Sequence, residues 1–379
     1  MAAIAAMRRG SPLRCAMLLL VAPALGLSRN AADLLEDVKT RVKSDARTPE
    51  RLGSNPKDGG VRVGLRYMEM ESPTRPFWMA VPYHMLAAWQ ADQVNAKVWD
   101  SGMFHERREA RIAQHIFNSQ CQLRARTGWL ASSKPPLVLD VGANSGFFSL
   151  LALAHGCRAT AYEPVRLIAD FIELSVSLNN GFGERFTLHN SIVTAEKNVI
   201  TNGWMVRTAA GERNRGRQEE KAKGAGGFVA AATSTTVSLD DTAFEDVLYL
   251  KIDVESHEPS VFASGARLLA EKRISYLLFE CTYYVREFGF RAHLYVSIME
   301  KLRLRGYRLY HLQAMDREQP THVAAGESDV RGRIHGNSSE WFAAVEAGSC
   351  RGAVQKGRSF CQLDIFAVHP SATWPLPRA

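Results

Sequence analysis

The sequence predicts a doubly wound α/β sheet, mostly parallel with an antiparallel last strand, under an N-terminal helical cap. Three observations carry this. Val138 to Ser149, Val-Leu-Asp-Val-Gly-Ala-Asn-Ser-Gly-Phe-Phe-Ser, reads as a buried strand that breaks into a glycine turn and runs straight into a helix. From there to Arg305, short apolar runs alternate with segments of helical periodicity, the pattern of a parallel sheet with crossover helices. Finally, Tyr307 to Leu312 and Gln362 to Val368 supply a closing strand pair.

Residues 1–27 are set apart from the globular chain. Arg8, Arg9 and Arg14 occur without an acid, and Cys15 to Leu27 is then almost wholly apolar, which reads as a secretory signal peptide or signal anchor. The run is short for a membrane span and contains Pro23. A plastid leader is the alternative. Residues 28–101 form an N-terminal helical and linker region. Leu34, Leu35, Val38 and Val42 mark an amphipathic helix, Gly53 to Gly60 a linker and Val61 to Tyr67 a strand. Pro73 to Pro82 is broken by three prolines, and Tyr83 to Val98 has helical character.

The main domain covers 102–370, with a tail at 371–379. Ala110, Ile112, Ala113, Ile116 and Phe117 give the apolar face of a capping helix. After the glycine turn come a helix over Phe147 to Ala154, a strand over Arg158 to Tyr162, and a helix marked by Leu167, Ile168, Phe171, Ile172, Ser175 and Leu178. Phe186 to Val193 reads as the third strand. Residues 203–234 interrupt the rhythm, and Glu212 to Gly227 is so rich in charge and glycine that a mobile surface insertion is expected. Val247 to Val254 is a strand, Pro259 to Lys272 a helix, Ile274 to Phe279 a strand ending at Glu280, and Arg291 to Arg305 a helix stopped by Gly306.

Composition excludes some functions. Lys+Arg 47 against Asp+Glu 39 leaves a charge of +8, but the basic residues are scattered, with no aromatic-interleaved stripe for nucleic acid. The 6 cysteines include no Cys-x-x-Cys pair, so zinc is not expected. Cys350 and Cys361 flank a polar loop and could close a disulfide in an oxidising lumen, whereas Cys157 and Cys281 lie beside apolar strands and read as buried thiols. Asn337-Ser338-Ser339 is the one glycosylation sequon.

The chemistry concentrates at strand ends. A dinucleotide fingerprint needs glycine at three fixed places, and Asp140, Gly142 and Ser145 stand there instead. What remains is Asp140-x-Gly142-x-x-x-Gly146, a carboxylate followed by a longer turn, which suits a cationic amine and hence S-adenosylmethionine. Glu163, 163 − 140 = 23 positions later, ends the second strand and can accept both ribose hydroxyls. Leu250-Lys251-Ile252-Asp253-Val254-Glu255 places a second set of charges where an apolar strand ends, with His257 and Glu258 just beyond. Strand alternation puts Lys251, Asp253 and Glu255 on one side.

Together with Tyr162-Glu163-Pro164 and Thr235-Thr236-Val237-Ser238-Leu239-Asp240-Asp241, these motifs resemble the FkbM family of S-adenosylmethionine-dependent methyltransferases, over roughly Gly102 to Leu312. The resemblance implies a class I methyltransferase fold, with Asp140, Gly142, Asn144, Gly146 and Glu163 as cofactor residues and Asn190 near the adenine. The family usually has glycine at Ser256, so the turn beside the reaction centre is changed here. Members typically methylate hydroxyl oxygens. The acceptor expected is therefore a sugar, glycan, lipid or small metabolite, with Asp253 or His257 removing the hydroxyl proton and Glu255 or Glu280 orienting it. Transfer is expected without a metal and without nucleic acid. The expected location is the secretory lumen or outside the cell, with membrane contact only through an uncleaved N-terminal anchor. A catalytically silent methyltransferase-fold binding protein is the alternative.

Overall fold

The computed structural model describes residues 63–68, 76–82, 107–122, 134–207, 213–214, 228–254, 257–284, 292–312, 334, 338, 340 and 360–372. The central sheet is built from β3 (Leu137–Val141), β4 (Arg158–Tyr162), β5 (Phe186–His189), β10 (Val247–Ile252), β11 (Ile274–Tyr284), β12 (Arg308–His311) and β13 (Phe360–Val368). Its order is β12-β13-β11-β10-β3-β4-β5. The neighbours from β11 through β10, β3 and β4 to β5 are parallel. β13 enters between β11 and β12 and is antiparallel to both. This is the doubly wound, mostly parallel arrangement that the sequence predicts.

Every residue of β3 and β10 is buried, because helices cover both faces of the sheet. Alternation divides the side chains between two apolar layers. Val138 belongs to one, with α2 (Phe147–Ala154), while Leu137, Leu139 and Val141 belong to the other, with Val261, Phe262 and Met299. The eight residues of α2 are all buried, as an uninterrupted Phe-Phe-Ser-Leu-Leu-Ala-Leu-Ala run requires. Next, α3 (Arg166–Ser177) turns Ala169, Phe171, Ile172, Leu174 and Val176 inward.

The N-terminal region differs from a purely helical cap. Here β1 (Val63–Met68) and β2 (Phe77–Pro82) form an antiparallel ladder. The proline-rich stretch can be a strand because Pro76 precedes β2 and Pro82 ends it, leaving the interior amides free to donate. One of those amides, Trp78 N–H, donates to Asn179 Oδ1 at 2.9 Å, and Asn179 Nδ2 returns a bond to Trp78 O at 2.9 Å. Helix α1 (Arg107–Phe117) forms where its periodicity predicts and buries Ala110, Ile112, Ala113, Ile116 and Phe117, the last edge-on to Tyr249 at 5.3 Å. The helices expected at 34–42 and 83–98 lie outside the described residues, as do the leader, Glu255, Ser256, Asn337 and Cys350. Among the described residues no helix is long and apolar enough to cross a membrane.

Three further expectations are corrected. The third strand is cut at Asn190: Phe186–His189 stays in the central sheet, whereas β6 (Ser191–Val193) joins a second sheet of order β6-β9-β7-β8. The interruption at 203–234 is framed by strands, since β7 (Ile200–Arg207) pairs antiparallel with β9 (Phe228–Val237), and β8 (Arg213–Asn214) pairs with β7. Charge density marked Glu212 to Gly227, which apart from Arg213 and Asn214 lies outside the described residues, whereas the flanks, Ile200 to Val206 and Phe228 to Val237, are rich in β-branched and aromatic residues and form strands. The helix predicted over 259–272 is broken at Gly265 into α5 (Glu258–Ser264) and α6 (Ala266–Glu271), after a short α4 (Leu239–Thr242). α7 (Ala292–Leu304) completes the second face.

Cys157 is not a free thiol. It forms a disulfide with Cys121, in the turn that ends α1, across 36 positions of sequence, whereas Cys281 is free and buried as expected. Spacing held no clue, because the partners come from the cap and from the turn before β4. A closed loop of this length constrains the unfolded chain by roughly 3–4 kcal/mol. Cys157→Ser should therefore lower the unfolding free energy by about 3 kcal/mol in denaturant titration, and reductant should lower the wild type by a similar amount while leaving the variant unchanged.

Candidate active site

The site is built where β3, β4 and β10 end side by side. The chain leaves β3 through Gly142, at φ 77°, and the amides of Gly142 and Ala143 both donate to Tyr162 O at 3.0 Å. A Cβ on Gly142 would stand 1.9 Å from Asp253 O, and Asp253 N–H donates to Val141 O at 3.0 Å. Gly142 is thus required by the approach of the β10 end, a protein contact, and not only by a ligand. Gly146, at φ 75°, meets Ile172 of α3, where a Cβ would lie 3.0 Å from Cγ1 and Cγ2. Asn144 between them holds a left-handed φ of 49°, a conformation Asn adopts more readily than most residues.

Asp140 is fully buried. Its Oδ2 accepts from Ser149 N–H at 3.1 Å and from Ser149 Oγ at 2.7 Å, while its Oδ1 has no hydrogen-bond partner among the described residues. Burial pushes its carboxyl above the ordinary range, opposed by the Lys251 ammonium and the Ser149 bonds. Glu163 accepts from Asn144 N–H at Oε2 and from Val165 N–H at Oε1, both at 2.9 Å, so it pins the glycine turn to the start of α3. Desolvation raises its carboxyl to about 7. Asn190 donates from Nδ2 to Glu163 O at 2.8 Å and to Pro164 O at 3.0 Å, which orients the backbone around Glu163.

From the other strand end, Lys251 Nζ lies 3.0 Å from Asp253 Oδ2 and 5.2 Å from the centre of the Phe148 ring. The pair lies on one side of β10, as alternation predicts, and Lys251 is in register with Asp140 of β3. His257 caps α5 through its backbone, accepting from Ser260 N–H at 3.0 Å and Val261 N–H at 3.3 Å. Glu258 is buried and bridges Val254 N–H, at 3.1 Å, to the Tyr295 hydroxyl, at 2.6 Å. Glu280 is buried on β11, opposite Asp364 in the antiparallel ladder.

Two contributors escape a reading of motifs. The Glu258–Tyr295 bond joins residues 37 apart in sequence. Glu109, on α1, is buried, and burial pushes its carboxyl up against the opposing charges of Arg108 and Lys251, a setting with no sequence signature. Among the described residues no cluster of His, Cys, Asp and Glu could hold a metal ion.

A parallel sheet whose central strand ends at a buried Asp140, with Glu163 ending the next, is the architecture of a class I S-adenosylmethionine-dependent methyltransferase. Residues 140–309 match the family model described as the Methyltransferase FkbM domain. Among solved structures it is similar to methyltransferase FkbM from Methylobacillus flagellatus KT, at 16% identity and a TM-score of 0.26 over 43% of this chain and 36% of that one. The chain therefore spans about a third of that protein's length. A second is the SAM-dependent methyltransferase from Thiobacillus denitrificans in complex with S-adenosyl-L-homocysteine, at 12% identity, TM-score 0.31, 76% of this chain and 98% of that one. Comparison with curated proteins finds no match.

Two outcomes follow from this geometry. Gly142→Ala should destabilise the protein by on the order of 3 kcal/mol, read by denaturant titration, because the turn cannot retreat from the Asp253 carbonyl without breaking its bonds to Tyr162. Glu258 is raised by burial from 4.5 to about 7. A carboxyl raised in the folded state favours folding while protonated, so its contribution is complete below about 4.5 and is lost as pH rises through about 7. Unfolding free energies of wild type and Glu258→Gln measured from pH 4 to pH 8 should diverge over that window, by up to roughly 3 kcal/mol in favour of the variant at the alkaline end.

Proposed function

We propose that the protein is an S-adenosylmethionine-dependent O-methyltransferase acting on a hydroxyl of a sugar, glycan, lipid or small metabolite. The observation that carries this is Asp140: a buried carboxylate oxygen without a hydrogen-bond partner among the described residues, flanked by Glu163 and Asp253, gives the strand ends an excess of acidic groups. Such a site fits a cationic ligand, since an unpaired buried carboxylate is costly until a donor reaches it. When bound, S-adenosylmethionine supplies an electrophilic methyl group on a sulfonium and leaves as a neutral thioether.

The chain's own residues do the rest. Asp140 Oδ1 accepts from the ligand's ammonium, and Glu163 keeps further lone pairs for ribose hydroxyls beyond the two amides it already binds. Asp253, a quarter exposed at its side chain, stands at the rim and takes the proton of the acceptor hydroxyl, with Lys251 orienting it through their 3.0 Å pair. His257 follows on the same rim as the second base. Alignment of acceptor and methyl carbon supplies most of the rate, so a weak base is sufficient. The Cys121–Cys157 disulfide and the apolar leader support action in an oxidising secretory lumen.

Calorimetric titration of the chain from Ser28 onward with S-adenosylmethionine and S-adenosylhomocysteine tests the cofactor site. Micromolar binding by the wild type is expected, with Asp140→Asn and Glu163→Ala each weakening it by about tenfold or more, the loss of one charged hydrogen bond. Radiolabelled methyl transfer to panels of glycans, lipids and hydroxylated metabolites then identifies the acceptor. A folded wild type that binds neither nucleoside overturns the reading.

A further inference from the structure

Among the described residues, Lys251 places a cation within the buried acidic ground of the site. Its residue is only 4% exposed, its ammonium pairs with Asp253 at 3.0 Å and lies against the Phe148 ring, and its backbone is in register with Asp140. Asp140 on β3, Asp253 after β10 and Glu163 after β4 are the carboxyls gathered at these strand ends, and the Lys251 ammonium opposes the upward push of burial on Asp140 and Glu163.

We infer that Lys251, in register with Asp140 and paired with Asp253, is a specificity-determining residue that sets the preference of this site for the sulfonium cofactor over its neutral thioether product. The inference rests on the S-adenosylmethionine reading above. The two nucleosides share every group except the methyl and its charge, so only the local field separates them strongly. A buried ammonium beside Asp140 opposes the charged ligand and leaves the neutral one nearly unaffected, and a buried carboxylate does the reverse. With poor screening inside the protein, a unit charge several ångströms away changes the affinity of a cation by about tenfold.

The test measures the ratio of dissociation constants for S-adenosylmethionine and S-adenosylhomocysteine by calorimetry at pH 8, in wild type, Lys251→Gln, Lys251→Met and Lys251→Arg. Lys251→Gln and Lys251→Met should each shift the ratio about tenfold toward S-adenosylmethionine, and Lys251→Arg should stay within about twofold of wild type. A merely structural role would weaken both ligands together and leave the ratio fixed. An unchanged ratio in Lys251→Gln overturns the inference. Where thermal melting shows that this variant does not fold, an unchanged ratio in Lys251→Met does so. Failure of the wild type to bind either nucleoside is a different result, and it removes the cofactor reading itself.

Discussion

Gly142 and the carbonyl of Asp253 stand so close that no side chain fits between them, and the site depends on that approach. It fuses the ends of β3 and β10 into one rim, with Asp253 N–H bonded to Val141 O below it and the turn amides bonded to Tyr162 O beside it. Three adjacent parallel strands therefore end at a common level. Asp140, Glu163 and Asp253 are brought together by backbone geometry before any side-chain contact is made. Ser149, Asn144 and Val165 then fix the carboxylates from the helix starts, where N–H groups are unsatisfied and favour anions.

The sheet was legible because its signals are local. β3, α2 and β4 lie where the apolar runs place them, and the charged strand end at Lys251 to Asp253 points into the same crevice as Asp140. What escaped is everything defined by contact between distant segments. The Cys121–Cys157 bond and the Glu258–Tyr295 pair have no period and no spacing. The glycines were read correctly as turn formers, but the reason differs at Gly142, where a neighbouring strand end occupies the space assigned to a ligand. The proline count in Pro73 to Pro82 misled for a related reason: position within the strand decides, and only the interior must donate.

The cap is packed onto the site's scaffold although it lies outside the FkbM match. Its helix buries an apolar face on the layer that contains Phe147, Phe148 and Tyr249, and its β-ladder is clasped by Asn179 just after α3. A disulfide from the end of α1 to the turn before β4 then ties that helix to the strand whose far end bears Glu163. Stability of the cap and the placement of the strand ends are accordingly linked through the core.

Asn190 marks the place where the chain passes from one sheet to another. Its backbone carbonyl accepts from Ser234 Oγ at 3.0 Å, and immediately beyond it β6 runs parallel to β9. The ladder of β7 and β9 runs from this anchored end to Val206 and Phe228, with the register at Thr235 to Val237 set beside Asn190. Asn190 is accordingly a hinge of allegiance: before it the chain serves the sheet that carries the carboxylates, and after it the chain serves another.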